Sequence, residues 1–500
     1  MSAPSQSDAV AAPRAPSTTR LFFTIFPSIM LPMFLAVADQ TIVATALPAI
    51  AGSLGNVEQI SWVVISYLVA ATIAAPVYGR FGDVFGRRRV MYVGLAIFMI
   101  ASLLCALASS VVLLSLARLL QGLGGGGLMT SSQALIGETI PPRERGRYQG
   151  YLAAVVVSSS TFGPVAGGYL TQHFGWQSVF LVNLPIGALA GLLMLRLPAR
   201  QGRDEDWHFD SKGLALFVLF VGPTLLAIEL SQRFEPALAP ELIGLGVCAI
   251  VALILLVRQE KRAASPLLPV SLLSKPAIWR SDALAACHGA ALVSLITFLP
   301  LYLRVVRGAS ASESGLLLLP LTAGIGFGSL VTGRLVSQTG RTFVFPSFGL
   351  IVSLATIVAL ALASPYLTPA EISALLGANA LFMGTVMGVV NVTVQSAAGP
   401  RMLGAAAGSV QFSRSVGASI GTAIVGAVLF LSLSITDREA AGLLGTMVER
   451  GPDVLSKFDA AHRAVIEIEI ADGFRAAFLT VALFTSCALV LAWTNPARRI

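Results

Sequence analysis

The chain reads as an all-α integral membrane protein with fourteen transmembrane helices: two pseudo-symmetric six-helix bundles and two extra helices between them. Three observations predict this. Only 12% of the 500 residues are charged against 55% hydrophobic, with a mean hydropathy of +0.81. A soluble fold of that length would lack the polar residues to cover its surface. Runs of roughly 20 apolar residues, the length that crosses a bilayer, recur from end to end. Finally, a glycine-hinged basic turn, Gly79-Arg80-Phe81-Gly82-Asp83-Val84-Phe85-Gly86-Arg87-Arg88-Arg89, returns 254 positions later as Gly333-Arg334-Leu335 … Gly340-Arg341. A turn repeated in each half is the mark of a duplicated membrane bundle.

In chain order, residues 1–20 are polar with Pro and Ser, which predicts a disordered tail. The first bundle occupies 21–197, with spans at about 22–49, 58–79, 90–109, 111–137, 148–170 and 177–197. The first span is too long for the apolar core of a cleaved signal and carries Asp39, so it reads as a retained helix ending near Pro48. A charged connector, Arg200 to Asp210, opens the 198–275 region, which holds two extra spans at about 213–232 and 239–257. The second bundle, 276–497, supplies spans at about 278–303, 312–336, 343–363, 370–396, 403–431 and 474–494. The Gly/Arg turn follows the second span of each six, with Ser337 standing where the first copy has Asp83. Between the last two spans, 436–473 is expected as an extracytoplasmic loop with eight acidic and four basic residues and an amphipathic helix from Asp453 to Ile470. Asp459, His462 and Glu467 are conceivable metal ligands there, but a solvated cover over the outer mouth is the better reading.

The net charge of +8 would suit a nucleic-acid partner, yet its placement argues otherwise. With the N-terminus inside, 23 of the 33 Lys and Arg fall on inside segments and 8 on outside segments. That is the positive-inside pattern, and it sets topology with both termini cytoplasmic. Cys105, Cys248, Cys287 and Cys487 lie in different spans without CxxC spacing and read as small core residues.

Asp39 is the sharpest chemical signal. In Ala36-Val37-Ala38-Asp39-Gln40-Thr41-Ile42-Val43 it lies nine residues, about 14 Å, from Pro48, and Arg118 lies about 10 Å into the fourth span from the same side. Matching depths predict an ion pair, because a lone carboxylate in hydrocarbon costs several kcal/mol. Such an acid, disfavoured by burial and favoured by its arginine, can take up or release a proton as the conformation changes; a static packing pair is the alternative.

Gly163-Pro164-Val165-Ala166-Gly167-Gly168 in the fifth span allows close backbone approach and a bend, as packing or as gating. Asp83 beside Arg87 can accept charge-assisted hydrogen bonds and hold a neighbouring helix, a role that topology alone would not require. Arg414 is embedded in the thirteenth span with Asn391 and Gln395 as possible acceptors, while His288 and Glu229 are weaker candidates for proton transfer. The chain has no convincing nucleophile–base pair, P-loop or zinc spacing. No catalytic site, metal or cofactor is therefore expected, and energy has to come from an ion gradient or the substrate's own.

On these residues the chain resembles the major facilitator superfamily and, within it, the fourteen-helix drug:proton antiporters, from about Leu21 to Pro496. The resemblance rests on Asp39, Thr41, Ala46, Leu47 and Pro48 in the first span and on Trp62, Tyr67 and Pro76 in the second. It continues through Gly79, Asp83, Gly86 and Arg87 in the turn, Arg118, Gln121 and Gly122 in the fourth span, and Gly163, Pro164, Gly167 and Gly168 in the fifth. Trp176 to Gly187 is similar to the family's sixth span, apart from Ser178 where a second tryptophan is common.

The resemblance implies a proton-coupled efflux transporter of a bacterial inner membrane, working as a monomer by alternating access. Protons and amphiphilic small molecules would be its partners within the lipid bilayer, and nucleic acid would not. Asp39 would carry the proton with Arg118 modulating it, and the glycine motifs and the Asp83–Arg87 turn would gate. Substrate would meet Trp62, Tyr67, Gln133, Phe298, Tyr302, Phe382 and Met387, with Asn391 and Arg414 nearby. A dedicated exporter of one metabolite, antibiotic, siderophore or lipid is the close alternative. A non-transporting scaffold or sensor fits less well, because it has no physical need for the buried charge.

Overall fold

The computed structural model describes residues 18–55, 59–197, 208–231, 238–436, 442, 443, 447 and 459–499. The first half comprises α1 (Thr18–Leu54), α2 (Trp62–Phe85), α3 (Arg87–Ala106), α4 (Val111–Thr139), α5 (Pro142–Phe174), and the short α6 (Ser178–Leu181) and α7 (Asn183–Met194). Two intervening helices follow, α8 (Ser211–Ser231) and α9 (Ala239–Arg262), then a turn of helix, α10 (Val270–Leu273). The second half comprises α11 (Pro276–Val305), α12 (Ala311–Leu317), α13 (Leu319–Thr339), α14 (Val344–Ala363), α15 (Pro369–Ala398), α16 (Leu403–Thr436) and α17 (Ala460–Thr494).

Thirteen helices among the described residues are long and apolar enough to cross a membrane, not fourteen. The expected sixth span is divided into α6 and α7. Pro185 has no N–H to offer the carbonyl of Leu181, so the hydrogen-bond ladder lapses there. Pro320 likewise separates α12 from α13 within the expected tenth span.

The first helix contains Pro48 and continues to Leu54, beyond the expected end, and it begins at Thr18, inside the stretch expected to be a tail. Residues 1–17 lie outside the described set, as does most of 437–458, so the start of the expected amphipathic helix does too. Its remainder, from Ala460, is continuous with the last span rather than a separate loop helix, because Ala460 to Thr494 offers no proline to break it.

Each half packs around its own apolar core. Phe26, Met33, Phe98, Leu128 and Tyr148 centre the first, and Leu295, Leu303, Met383, Phe474 and Phe478 the second. Large apolar side chains such as Ile243, Val247, Ile250 and Leu483 point outward, as a bilayer solvent permits. Cys248 and Cys487 share that exposure and are not core residues, whereas Cys105 is buried.

Because successive helices alternate in direction, the Gly79–Arg89 turn, the end of α4 and the starts of α5 and α16 share one end of the bundle. It is called the basic face below. The halves meet there along two glycine seams. In one, α2 lies on α16, and a Cβ on Gly79 would strike the Gly404 carbonyl while one on Gly408 would fall 2.8 Å from Pro76 Cα. In the other, α5 lies on α13, with Gly146 against the Gly333 carbonyl and Gly150 against Leu330. Close backbone approach of this kind is the usual gain from small residues in membrane helices. The intervening α8 lies over the α2–α16 seam, with Phe217 packed against Phe412 at 5.3 Å between ring centres.

Candidate functional site

Asp39 is fully buried on α1, and three donors from two other helices converge on its carboxylate. Arg118 of α4 donates from Nη1 to Oδ2 at 2.5 Å, Gln121 donates to Oδ1 at 2.9 Å, and Asn183 at the start of α7 donates to Oδ1 at 2.7 Å. Gln121 accepts from Arg118 Nη1 at 2.8 Å and donates to Ser102 of α3 at 2.8 Å. Arg118 Nε donates to the Val63 carbonyl of α2 at 3.0 Å, and the guanidinium lies 4.2 Å from the centre of the Tyr67 ring. Tyr67 in turn donates to the Ala36 carbonyl at 3.1 Å.

Every partner of the carboxylate is a donor, two on Oδ1 and one on Oδ2, so they fill three of its roughly four lone-pair sites. Burial without such partners would be prohibitive, and a paired, hydrogen-bonded carboxylate meets the requirement.

The spacing argument therefore pairs the right residues. Asn183 and Ser102 were not among the sequence-derived site residues. An asparagine within the apolar run Phe180-Leu181-Val182-Asn183-Leu184 was the available signal. Cys105, read as a core residue, also reaches Gln121, at 3.5 Å.

The neighbouring face of α1 packs on α5. A Cβ on Gly163 would land on Thr41 Oγ1, and one on Gly167 on Thr45 and Ile42. Gly168 has open space around it and Pro164 is exposed, so the i, i+4 pair Gly163/Gly167 forms the seam and the other two residues of the motif do not.

At the basic face, Asp83 reaches across the halves. Its Oδ1 accepts from Gly404 N at 2.9 Å and its Oδ2 from Ala405 N at 2.9 Å, so it caps the N-terminus of α16, where a helix dipole favours negative charge. Arg87 holds the same carboxylate at 2.5 Å and Glu138 of α4 at 2.7 Å. Gly86 makes the sharp break between α2 and α3 at φ +88°, a conformation that other residues adopt only with strain.

The expected substrate residues lie in differing surroundings, because assigning a residue to a helix leaves its angle about the axis open. Trp62, half-buried, lines a cavity of about 600 Å³ with Ser66, Ser115, Pro223 and Leu226, between α2, α4 and α8 rather than between the halves. Tyr67 belongs to the ion-pair site, and Tyr302 is fully buried against Phe474 and Phe478 at 5.5 and 5.6 Å. Phe298 is buried near Gly426. Gln133 and Asn391 sit on α4 and α15, and the Gln133 carbonyl accepts from Gln395 across the halves at 3.0 Å. Phe382, Met387 and Arg414 are half-buried. His288 is buried, with Nε2 at 3.1 Å from the Met383 carbonyl.

Two helical halves that close on each other, one holding an internal ion pair, define a polytopic membrane carrier. The chain belongs to the major facilitator superfamily, whose pattern it matches over residues 29–422. It is 32% identical over 471 residues to an uncharacterised MFS-type transporter of Mycobacterium tuberculosis (strain ATCC 25618 / H37Rv), covering 94% of this chain and 68% of that one. It is 30% identical over 412 residues to the multidrug transporter protein MdtP of Bacillus subtilis (strain 168), covering 81% of this chain and 75% of the relative. Among solved structures, the proton:xylose symporter XylE aligns with a TM-score of 0.62 at 14% identity, covering 96% of each chain. It is also 30% identical over 405 residues to multidrug resistance protein 3 of Bacillus subtilis (strain 168), covering 80% of this chain and 78% of the relative.

Proposed function

We propose that this protein is a proton-coupled exporter of amphiphilic small molecules, acting by alternating access in a bacterial cytoplasmic membrane with both termini and the basic face inside. The observation that carries the reading is the Asp39 carboxylate, sealed from solvent and held by three donors from two other helices. A proton on Oδ1, which accepts from Gln121 and Asn183, has to displace one of them, and a proton on Oδ2 cancels the charge that holds Arg118. Protonation then frees Arg118, Gln121 or Asn183 and removes the charge that binds α1 to α4 and α7. Thr41 lies two residues along α1, against Gly163, so a change at the acid is felt at the α1–α5 seam.

With the basic face closed by the Asp83 latch and the glycine seams, the described conformation corresponds to an outward-facing carrier. Substrate leaves to the outside, a proton is taken up, and the latch yields to reopen the inner face. The even count of fourteen crossings is retained by taking α6 and α7 together as one kinked passage. The multidrug names of relatives such as MdtP support export of small molecules. We read the chain as a carrier rather than an enzyme, driven by the proton gradient without a cofactor and functioning as a monomer.

The test uses inside-out vesicles with an imposed pH gradient and a fluorescent pH probe, challenged with lipophilic dyes and antibiotics. Substrate-evoked proton leakage is expected in the wild type and not in Asp39→Asn at equal expression. Equal leakage from the two proteins would remove Asp39 from coupling.

A further inference from the structure

Arg414 of α16 contrasts with Arg118. It lies 11 residues beyond Leu403, about 16 Å from the basic face, near the middle of a bilayer core about 30 Å thick. Its only hydrogen bond among the described residues is to Gln411 Oε1 of the same helix, at a long 3.3 Å. No carboxylate among the described residues pairs with it. The acid on the facing helix, Asp282 of α11, accepts instead from Ser409, one and a half turns closer to the basic face.

On the other side, α11 presents bare backbone. A Cβ on Gly289 would lie 3.3 Å from Arg414 Cγ. The adjacent His288, 3% exposed and within electrostatic reach of Arg414, directs Nε2 at the Met383 carbonyl of α15. With the proton on Nε2, its buried Nδ1 is an acceptor with no partner. The junction of α11, α15 and α16 thus holds a guanidinium with unused donors, an unpaired imidazole nitrogen and no counter-charge in contact.

We propose that Arg414 is the recognition point for an anionic group on the exported molecule, so that the substrate class is amphiphilic organic anions. The proposal rests on the export reading above and deepens it. An arginine kept at mid-membrane is costly unless an acceptor arrives, and its planar fork matches a carboxylate, sulfonate or phosphate through two parallel hydrogen bonds. An arginine serving only to fix packing would be tied to a neighbouring helix, as Arg118 is to Val63 and Asp39. Arg414 is not fully enclosed, so part of its surface stays reachable.

The experiment is equilibrium binding to purified protein in nanodiscs without a gradient, so that it is independent of coupling. The probes are a dansylated undecanoate, its neutral carboxamide, and tetraphenylphosphonium as competitor. The carboxylate should bind about tenfold or more tightly than the carboxamide, a difference of one charge-assisted contact. Arg414→Gln should abolish that preference while leaving carboxamide affinity unchanged. Arg414→Lys, which keeps the charge and loses the fork, should reduce the preference and serves as the milder variant. Equal affinity of the wild type for the two probes, or a preference that survives both substitutions, overturns the proposal. So does displacement of a bound carboxamide by tetraphenylphosphonium but not by the carboxylate. Because the assay imposes no gradient and moves no proton, a failure of the coupling reading in vesicles leaves this result standing.

Discussion

The two halves are built on one plan and charged differently. In the first, Gly163 and Gly167 of α5 lie on Thr41 and Thr45 of α1; in the second, Gly417 and Gly421 of α16 lie on Ala286 and Ala290 of α11. Both glycine pairs keep the 254-residue offset of the repeated turn. Two residues before the first facing residue stands Asp39 in one half and Leu284 in the other. The first half therefore encloses a matched ion pair at this place, and the second a leucine, with the Arg414 guanidinium on α16 paired to no acid among the described residues. The same contrast recurs at the basic face, where Asp83 caps α16 but its counterpart Ser337 has no charge to offer α5. Duplication supplied the frame, and divergence gave the buried ion pair and the charged latch to one half.

Removing either buried arginine is the strongest way to break the comparison. Arg118→Ala strands a buried carboxylate and should cost about 3–5 kcal/mol, recovered in large part by the double variant Asp39→Asn/Arg118→Ala. Arg414→Ala strands nothing charged and should cost under about 1 kcal/mol. Thermal melts of the purified proteins would show this, and equal losses would mean that Arg414 has a structural partner.

A smaller effect separates the glycine seams. Gly163→Leu and Gly417→Leu should each destabilise by about 1–3 kcal/mol by overpacking. Only Gly163→Leu displaces Thr41 beside Asp39, so it alone should shift the pH dependence of transport. Gly168→Leu, with open space around it, is the neutral control. Identical pH profiles for all three would detach the α1–α5 seam from coupling.

The latch comes last. Asp83→Asn weakens its bonds to the α16 N-terminus and should shift the closed basic face toward opening by about 1–2 kcal/mol. Ser337→Asp, placing an acid in the second seam, should shift it the other way by under about 1 kcal/mol. Distances between spin labels on the ends of α2 and α16 would report the populations. An unchanged distribution in Asp83→Asn would make the latch dispensable.

Much of this molecule was legible in its sequence. Apolar run length and the repeated turn marked the spans, because crossing a bilayer is a local requirement on length and hydropathy. Asp39 and Arg118 were legible as partners because depth along a helix follows from residue count alone. Pro185 and Pro320 also stand in plain view, yet whether a proline bends, breaks or is absorbed depends on its neighbours. Pro27, Pro32 and Pro48 lie inside an unbroken α1, while the other two divide their spans. What sequence could not give is the angle of each helix about its axis and the neighbour it faces, which packing between distant segments sets. That angle put Asn183 and Ser102 at the ion-pair site, sent Tyr302 into the second core and Trp62 to a lateral cavity, and laid Asp83 on the end of α16. That Arg414 lacks an acid was legible, since the second half offers none at its depth; the packing decided that its acceptor is Gln411 on its own helix and not Asn391 or Gln395.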